Sequence, residues 1–231
     1  MLGIGSLFAG KKYIHRSSAL GDWVAIHLYE DLAALGRSKK FLSGIQTGTK
    51  ALTSTNKRVG VKSRRGDGSF GDVVPNETPI QDPGYAVPRG FIATIEIGAE
   101  VKIVAKAMNK QIDRVIGDLR KQVDQFQKKG GNAICVGIVG INHAEKYTGY
   151  EKDREWPTTG KGSFKHPIQE AAQAEKRLRD EAAEAYDEFL ILKFVATNEP
   201  PYPFSWVNAA ETNREYGAAL VRISNEYERR F

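Results

Sequence analysis

The pattern that most constrains this chain lies between residues 91 and 141. From Phe91 to Ala105, apolar side chains recur at Phe91, Ala93, Ile95, Ile97, Ala99, Val101 and Ile103, a period of two that places them on one face of a strand. From about Lys106 to Lys129 the period turns helical, with Met108, Ile112, Val115, Ile116, Leu119, Val123 and Phe126 on one side and Gly130-Gly131 as the stop. Ala133 to Ile141 then runs unbroken and apolar with several β-branched residues, as a buried strand does. Strand, helix, strand in that order predicts a right-handed crossover and a parallel pair.

The flanking segments fit one α/β domain. Ser18 to Gly36 reads as a helix, Leu42 to Thr55 as a loop with marginal helix, Arg58 to Lys62 and Phe70 to Val74 as short strands. Residues 143–166 read as a polar excursion, Pro167 to Asp187 as a helix, Phe189 to Ala196 as a strand and Asn208 to Arg229 as a terminal helix. The expectation is a single domain over residues 1–231, with a core at about 18–141 and a C-terminal elaboration at 142–231.

Composition narrows the class. The 231 residues are 41% hydrophobic and 27% charged, enough for a substantial core. No stretch approaches the roughly 18 uninterrupted apolar residues of a membrane span, and Met1 to Gly10 lacks the basic lead of a signal peptide, so a cytoplasmic protein is expected. The lone cysteine, Cys135, excludes an internal disulfide or a cysteine-built metal cage. A net charge of +6 permits a polyanionic partner without defining one. Gly5 to Lys12 resembles a phosphate-binding loop, but Lys12 replaces the Ser or Thr and no strand precedes it. The four histidines lack metal-ligand spacing.

The polar face of the long strand carries the chemistry. Glu100 and Lys102 project from the same side about 6.6 Å apart, over a layer that should be substantially buried. Burying both charges costs free energy unless they are paired or used. A carboxylate here, with a second from a neighbouring strand, suits Mg²⁺ or Mn²⁺, and the lysine suits charge stabilisation at a phosphodiester. Asp72, at the head of a short strand, is the preferred second ligand because a rigid element holds a ligand better than a loop. Asp82 is the alternative, although Gln81 to Gly84 reads as a turn. Asp67 also sits in turn-like sequence. Glu96 shares the face of Glu100 but lies about 13 Å away along the strand, as an outer or second-metal candidate.

The order helix, strand, strand with Asp72, strand with Glu100-Val101-Lys102, amphipathic helix and apolar strand resembles the core of the PD-(D/E)XK, or restriction-endonuclease-like, nuclease superfamily. The resemblance implies an αβββαβ core with a mixed central sheet flanked by helices, followed here by extra C-terminal helices and a strand. It also implies Asp72 and Glu100 as metal ligands and Lys102 as the catalytic lysine.

The expected function is therefore a Mg²⁺-dependent endonuclease hydrolysing DNA, restriction-like or defensive, acting as a homodimer or higher homo-oligomer to cut both strands. Lys106, Lys110 and Arg114 recur every four residues and are candidate phosphate contacts, as are Arg64 and Arg65. The rival expectation is a non-catalytic nucleic-acid-binding or assembly protein in which Glu100 and Lys102 form an ion pair.

Overall fold

Each periodic segment forms the element that its spacing dictates. A computed structural model describes residues 2–15, 19–53, 66–128, 131–151 and 153–231. In chain order its elements are α1 (Leu2–Phe8), α2 (Ala19–Leu35), α3 (Lys39–Gln46), β1 (Lys50–Thr53), β2 (Gly68–Asp72) and β3 (Ile97–Val104). There follow α4 (Met108–Phe126), β4 (Ile134–Asn142), β5 (Thr148–Glu151), β6 (Arg154–Pro157), α5 (Pro167–Glu181), β7 (Glu188–Ala196), β8 (Phe204–Trp206) and α6 (Ala209–Arg230).

Six strands form one mixed sheet in the order β1-β2-β3-β4-β7-β8. β1, β2 and β3 are an antiparallel meander, β3-β4 and β4-β7 are parallel, and β8 closes the far edge antiparallel. β3 and β4, joined through α4, form the expected parallel pair. β4 is buried along its whole length, which explains why its sequence is continuously apolar rather than alternating.

Helices cover both faces. Ile97, Ala99 and Val101 of β3 pack into a cluster with α1, α2, α3 and α6, including Leu28, Tyr29, Phe41, Ile223 and Tyr227. The opposite cluster joins Val104, Cys135 and Val139 to Ile112, Leu119 and Phe126 of α4 and Ala174 and Leu178 of α5. Fully burying one such aliphatic or aromatic side chain contributes about 1.5–3 kcal/mol, so these two layers hold the sheet between them. Ser38 caps α3 by accepting from the Phe41 amide, and Asn208 caps α6 by accepting from the Glu211 amide.

Some boundaries differ from the sequence expectation. The regular strand begins at Ile97, not Phe91. Residues 91–96 follow β2 only intermittently, through the Ile92–Val73 bridge and the Ala93-to-Asp72 and Glu96-to-Phe70 backbone bonds. β2 ends at Asp72, and the Val73 amide turns to Thr49 instead, so no continuous ladder exists there. The expected loop at Leu42 to Thr55 contains the end of α3 and all of β1, while the expected strand at Arg58 to Lys62 lies outside the described residues. The polar excursion contains the β5-β6 hairpin. Gly5 falls inside α1, so the first part of the phosphate-loop pattern is helix rather than a loop ahead of one. No described helix is long and apolar enough to cross a membrane.

Candidate active site

The β2-β3 register decides which carboxylate meets Glu100. Ser69 pairs with Gly98 and Gly68 with Ala99, where the regular ladder ends, and Asp67, one residue before β2, lies beside Ala99 to Val101 of β3. The Asp67 amide donates to the Ala99 carbonyl at 3.1 Å, and the Val101 amide donates to Oδ2 of Asp67 at 2.7 Å. A side-chain oxygen thus accepts a bond that a backbone carbonyl would take in an unbroken ladder. Gly66, at φ +67°, is the left-handed residue that lets the chain arrive there.

Two helices close around this point. At Gly21, in the first turn of α2, a β-carbon would overlap the Asp67 carboxylate, so only glycine admits that approach. Gly98 of β3 faces α4, where a β-carbon would stand 2.6 Å from the Phe126 ring. Glu100 and Lys102 follow at alternate positions and share that α4 face. Glu100 is 7% exposed, and Lys102 Nζ donates to its Oε1 at 2.6 Å.

The electrostatics follow from this crowding. Burial, then repulsion from Glu100, push the Asp67 carboxyl up to about 7, although the Val101 amide and Lys102 oppose the rise. Burial pulls the Lys102 ammonium down, but attraction from Glu100, Asp67 and Asp118 outweighs it and leaves the lysine above its ordinary value. Burial and the neighbouring Glu100 charge both disfavour ionisation of Asp67, so a positive charge placed beside the two carboxyl groups would favour their ionised forms. Among the described residues no group of three or more His, Cys, Asp or Glu side chains converges to hold a metal. A pair of hard oxygen donors fits an ion that keeps several waters, as Mg²⁺ does.

Asp72 does not join this site. It stands five residues beyond Asp67, about 17 Å along the strand, where it accepts from Lys50 Nζ at 2.6 Å and from Thr94 Oγ1 at 2.9 Å. Glu96 belongs to that second cluster, accepting from Lys50 and from the Tyr227 hydroxyl. Here Lys50 already occupies the space between the two carboxylates, and nothing in the charge balance calls for a cation. Asp82 lies in the loop after β2, ion-paired to Arg89 at 3.0 Å. The structure thus sets Asp72 and Asp82 apart from Glu100 and Lys102, and it is Asp67 that lies beside that pair.

The proposed phosphate contacts separate. Lys106 is half-buried against β5, where a β-carbon on Gly149 would overlap its ammonium, and burial lowers its pKa. Lys110 and Arg114 are exposed on α4, with Arg114 donating to Gln111. Arg64 and Arg65 lie outside the described residues. Two residues near the site were not among the sequence candidates, Asp67 and Asp118. Asp118 and the buried Gln122 line one side of a cavity of ≈ 500 Å³ beside α4.

No family model, curated protein or solved structure matches this chain.

Proposed function

We propose that this protein is a divalent-metal-dependent nuclease acting on DNA, with Asp67, Glu100 and Lys102 as its site. The observation that carries the reading is the approach of Asp67, just before β2, to the Glu100-Val101-Lys102 stretch of β3, bonded to the Val101 amide and within electrostatic reach of Glu100 and Lys102. The element order from α2 and α3 through three antiparallel strands, α4 and the parallel β4 supports it, because it is the order expected of the resembled nuclease core.

Asp67 and Glu100 would hold Mg²⁺ or Mn²⁺. When bound, such an ion supplies Lewis acidity toward a phosphodiester oxygen and a lowered pKa for a coordinated water. The chain's own groups do the rest. The Val101 amide fixes Oδ2 of Asp67 and so aims the carboxylate. The Lys102 ammonium, cationic at neutral pH, stands where negative charge builds on a phosphorus centre under attack. Phe126 and the flanking helices exclude water from the sheet side of the pair. Cutting both strands of a duplex with one site per chain calls for a homodimer or two successive events.

Incubating purified protein with supercoiled plasmid, linear duplex, single-stranded DNA and RNA in EDTA, Mg²⁺ or Mn²⁺ tests the reading. Metal-dependent cutting of DNA that disappears in Asp67→Asn and in Lys102→Ala is expected. Cutting that persists in both variants would sink the site assignment. The Glu100–Lys102 ion pair also favours a non-catalytic nucleic-acid-binding reading. Salt-dependent plasmid binding with no cutting under any metal would select that one.

A further inference from the structure

α4 and β3 run in opposite directions, and their repeats match. Four helical residues advance about 6 Å and two strand residues about 6.6 Å. With Phe126 seated on Gly98, the row Phe126, Gln122, Asp118 therefore steps along Gly98, Glu100, Lys102. The row also drifts about 40° around the helix per step. That drift takes it from Phe126, buried against the strand, through Gln122, 6% exposed, to Asp118 at the exposed rim. Asp118 thus lies level with Lys102, whose side chain is 26% exposed and long enough to reach the rim. Asp118 and Gln122 face the same ≈ 500 Å³ cavity.

We propose that Asp118 is a positioning residue for Lys102, receiving the ammonium when a divalent cation takes Glu100. The inference rests on the nuclease reading and adds a step to it. In the structure described here Lys102 is held by Glu100 at 2.6 Å. A cation held by Glu100 would repel that ammonium and compete for the same carboxylate oxygen. With Asp67 and Glu100 both engaged by the cation, Asp118, whose charge also attracts the ammonium, would offer the remaining anion from a rigid helix. Lys102 then stays at the edge of the site, where a phosphate would enter, with no proton gained or lost.

The test uses the full chain and the variants Asp118→Asn, Asp118→Ala and Asp118→Glu, on an exposed helix position where folding should persist; circular dichroism and melting check this. With plasmid and Mg²⁺, Asp118→Asn and Asp118→Ala should lower kcat on the order of ten- to a hundredfold. KM and the Mg²⁺ half-saturation should stay unchanged, and Asp118→Glu should recover part of the loss. An unchanged kcat in Asp118→Asn overturns the proposal.

A readout independent of activity is the lysine ammonium ¹⁵N resonance of Lys102, identified by its loss in Lys102→Arg. Addition of Mg²⁺ alone should shift it in wild type without loss, and should broaden it away in Asp118→Asn. Identical behaviour in the two proteins, or no response to Mg²⁺ in wild type, overturns the hand-over. A wild type that cuts no nucleic acid under any metal overturns the nuclease reading instead, and the ammonium resonance still decides the role of Asp118.

Discussion

The backbone amide of Val101 donates to Oδ2 of Asp67 at 2.7 Å, so the middle residue of Glu100-Val101-Lys102 holds the carboxylate proposed as the second metal ligand. The bond is charge-assisted when Asp67 is ionised, and it comes from a central strand rather than a loop. Neighbouring side chains of β3 can move independently, but Asp67 is tied to the strand's own backbone.

This tie separates two aspartates five residues apart, Asp67 just before β2 and Asp72 at its end. Asp67→Asn should abolish metal-dependent plasmid cutting. Asp72→Asn should leave the rate within about threefold of wild type, because Asp72 serves Lys50 and Thr94 rather than the proposed metal pair. Gel-resolved cutting rates of the two variants check this. Loss of activity in Asp72→Asn with retained activity in Asp67→Asn would return the metal to the other end of β2.

The raised pKa of Asp67 sets a pH dependence. Its folded value of about 7 lies above the ordinary 3.8, through burial first and the Glu100 charge second. Between those values the folded chain keeps a proton that the unfolded chain has lost, so stability falls as pH rises through that window. Above about pH 7 the ionised pair is a standing cost, and a bound divalent cation offsets it. The melting temperature should therefore fall more from pH 5 to pH 8 in wild type than in Asp67→Asn. Millimolar Mg²⁺ should raise it at pH 8, hardly at pH 5, and not in the variant. An equal Mg²⁺ response at both pH values, measured by scanning fluorimetry, would contradict the coupling.

The legibility of these features in sequence followed their periodicity. β3, α4 and β4 could be read because each repeats its apolar spacing over eight residues or more, and Glu100 and Lys102 were legible with them. Asp67 was not. Arg64-Arg65-Gly66-Asp67-Gly68 has the composition of a turn, and the strand it opens contains only Phe70 as a large apolar residue. The usable signal was the glycine pair itself, since glycine in a strand often marks close backbone approach. Gly66 lies against Phe126 and the Ala99 carbonyl, and Gly68 lies against Ala25. β1 was missed for a related reason: Lys50 to Thr53 is too short to show a period, and only pairing to β2 makes it a strand.

Gly98 gives a prediction about how α4 bears on the site. A β-carbon there would meet the Phe126 ring at 2.6 Å, and Phe126 is itself buried. Gly98→Val should cost about 1–3 kcal/mol through overpacking and lift the end of α4 away from β3. Activity should fall further than the lost folded fraction explains, because Gln122 and Asp118 ride on the displaced helix. Urea melts together with cutting rates measured well below the transition separate the two effects. A variant as active as wild type per folded molecule would show that α4 does not set the geometry.

The second acidic cluster makes the opposite prediction, one of stability without chemistry. Lys50 reaches between Asp72 and Glu96 and lifts above its ordinary pKa; burial alone would lower it, but the two carboxylates outweigh that. Tyr227 donates its hydroxyl to the other oxygen of Glu96, tying α6 to the sheet. Gly44 of α3 leaves the space through which the Lys50 stem passes. Lys50→Met would strand the buried Glu96 with only a hydroxyl as partner. The cost should be about 2–3 kcal/mol, below the 3–5 of a fully buried pair because the lysine is partly exposed. Lys50→Met with Glu96→Gln should recover much of that loss, since the double variant removes the uncompensated charge. Cutting by the folded fraction should match wild type in both. Denaturant midpoints report the stability difference, and a selective loss of cutting in Lys50→Met would place this end of the sheet in the reaction after all.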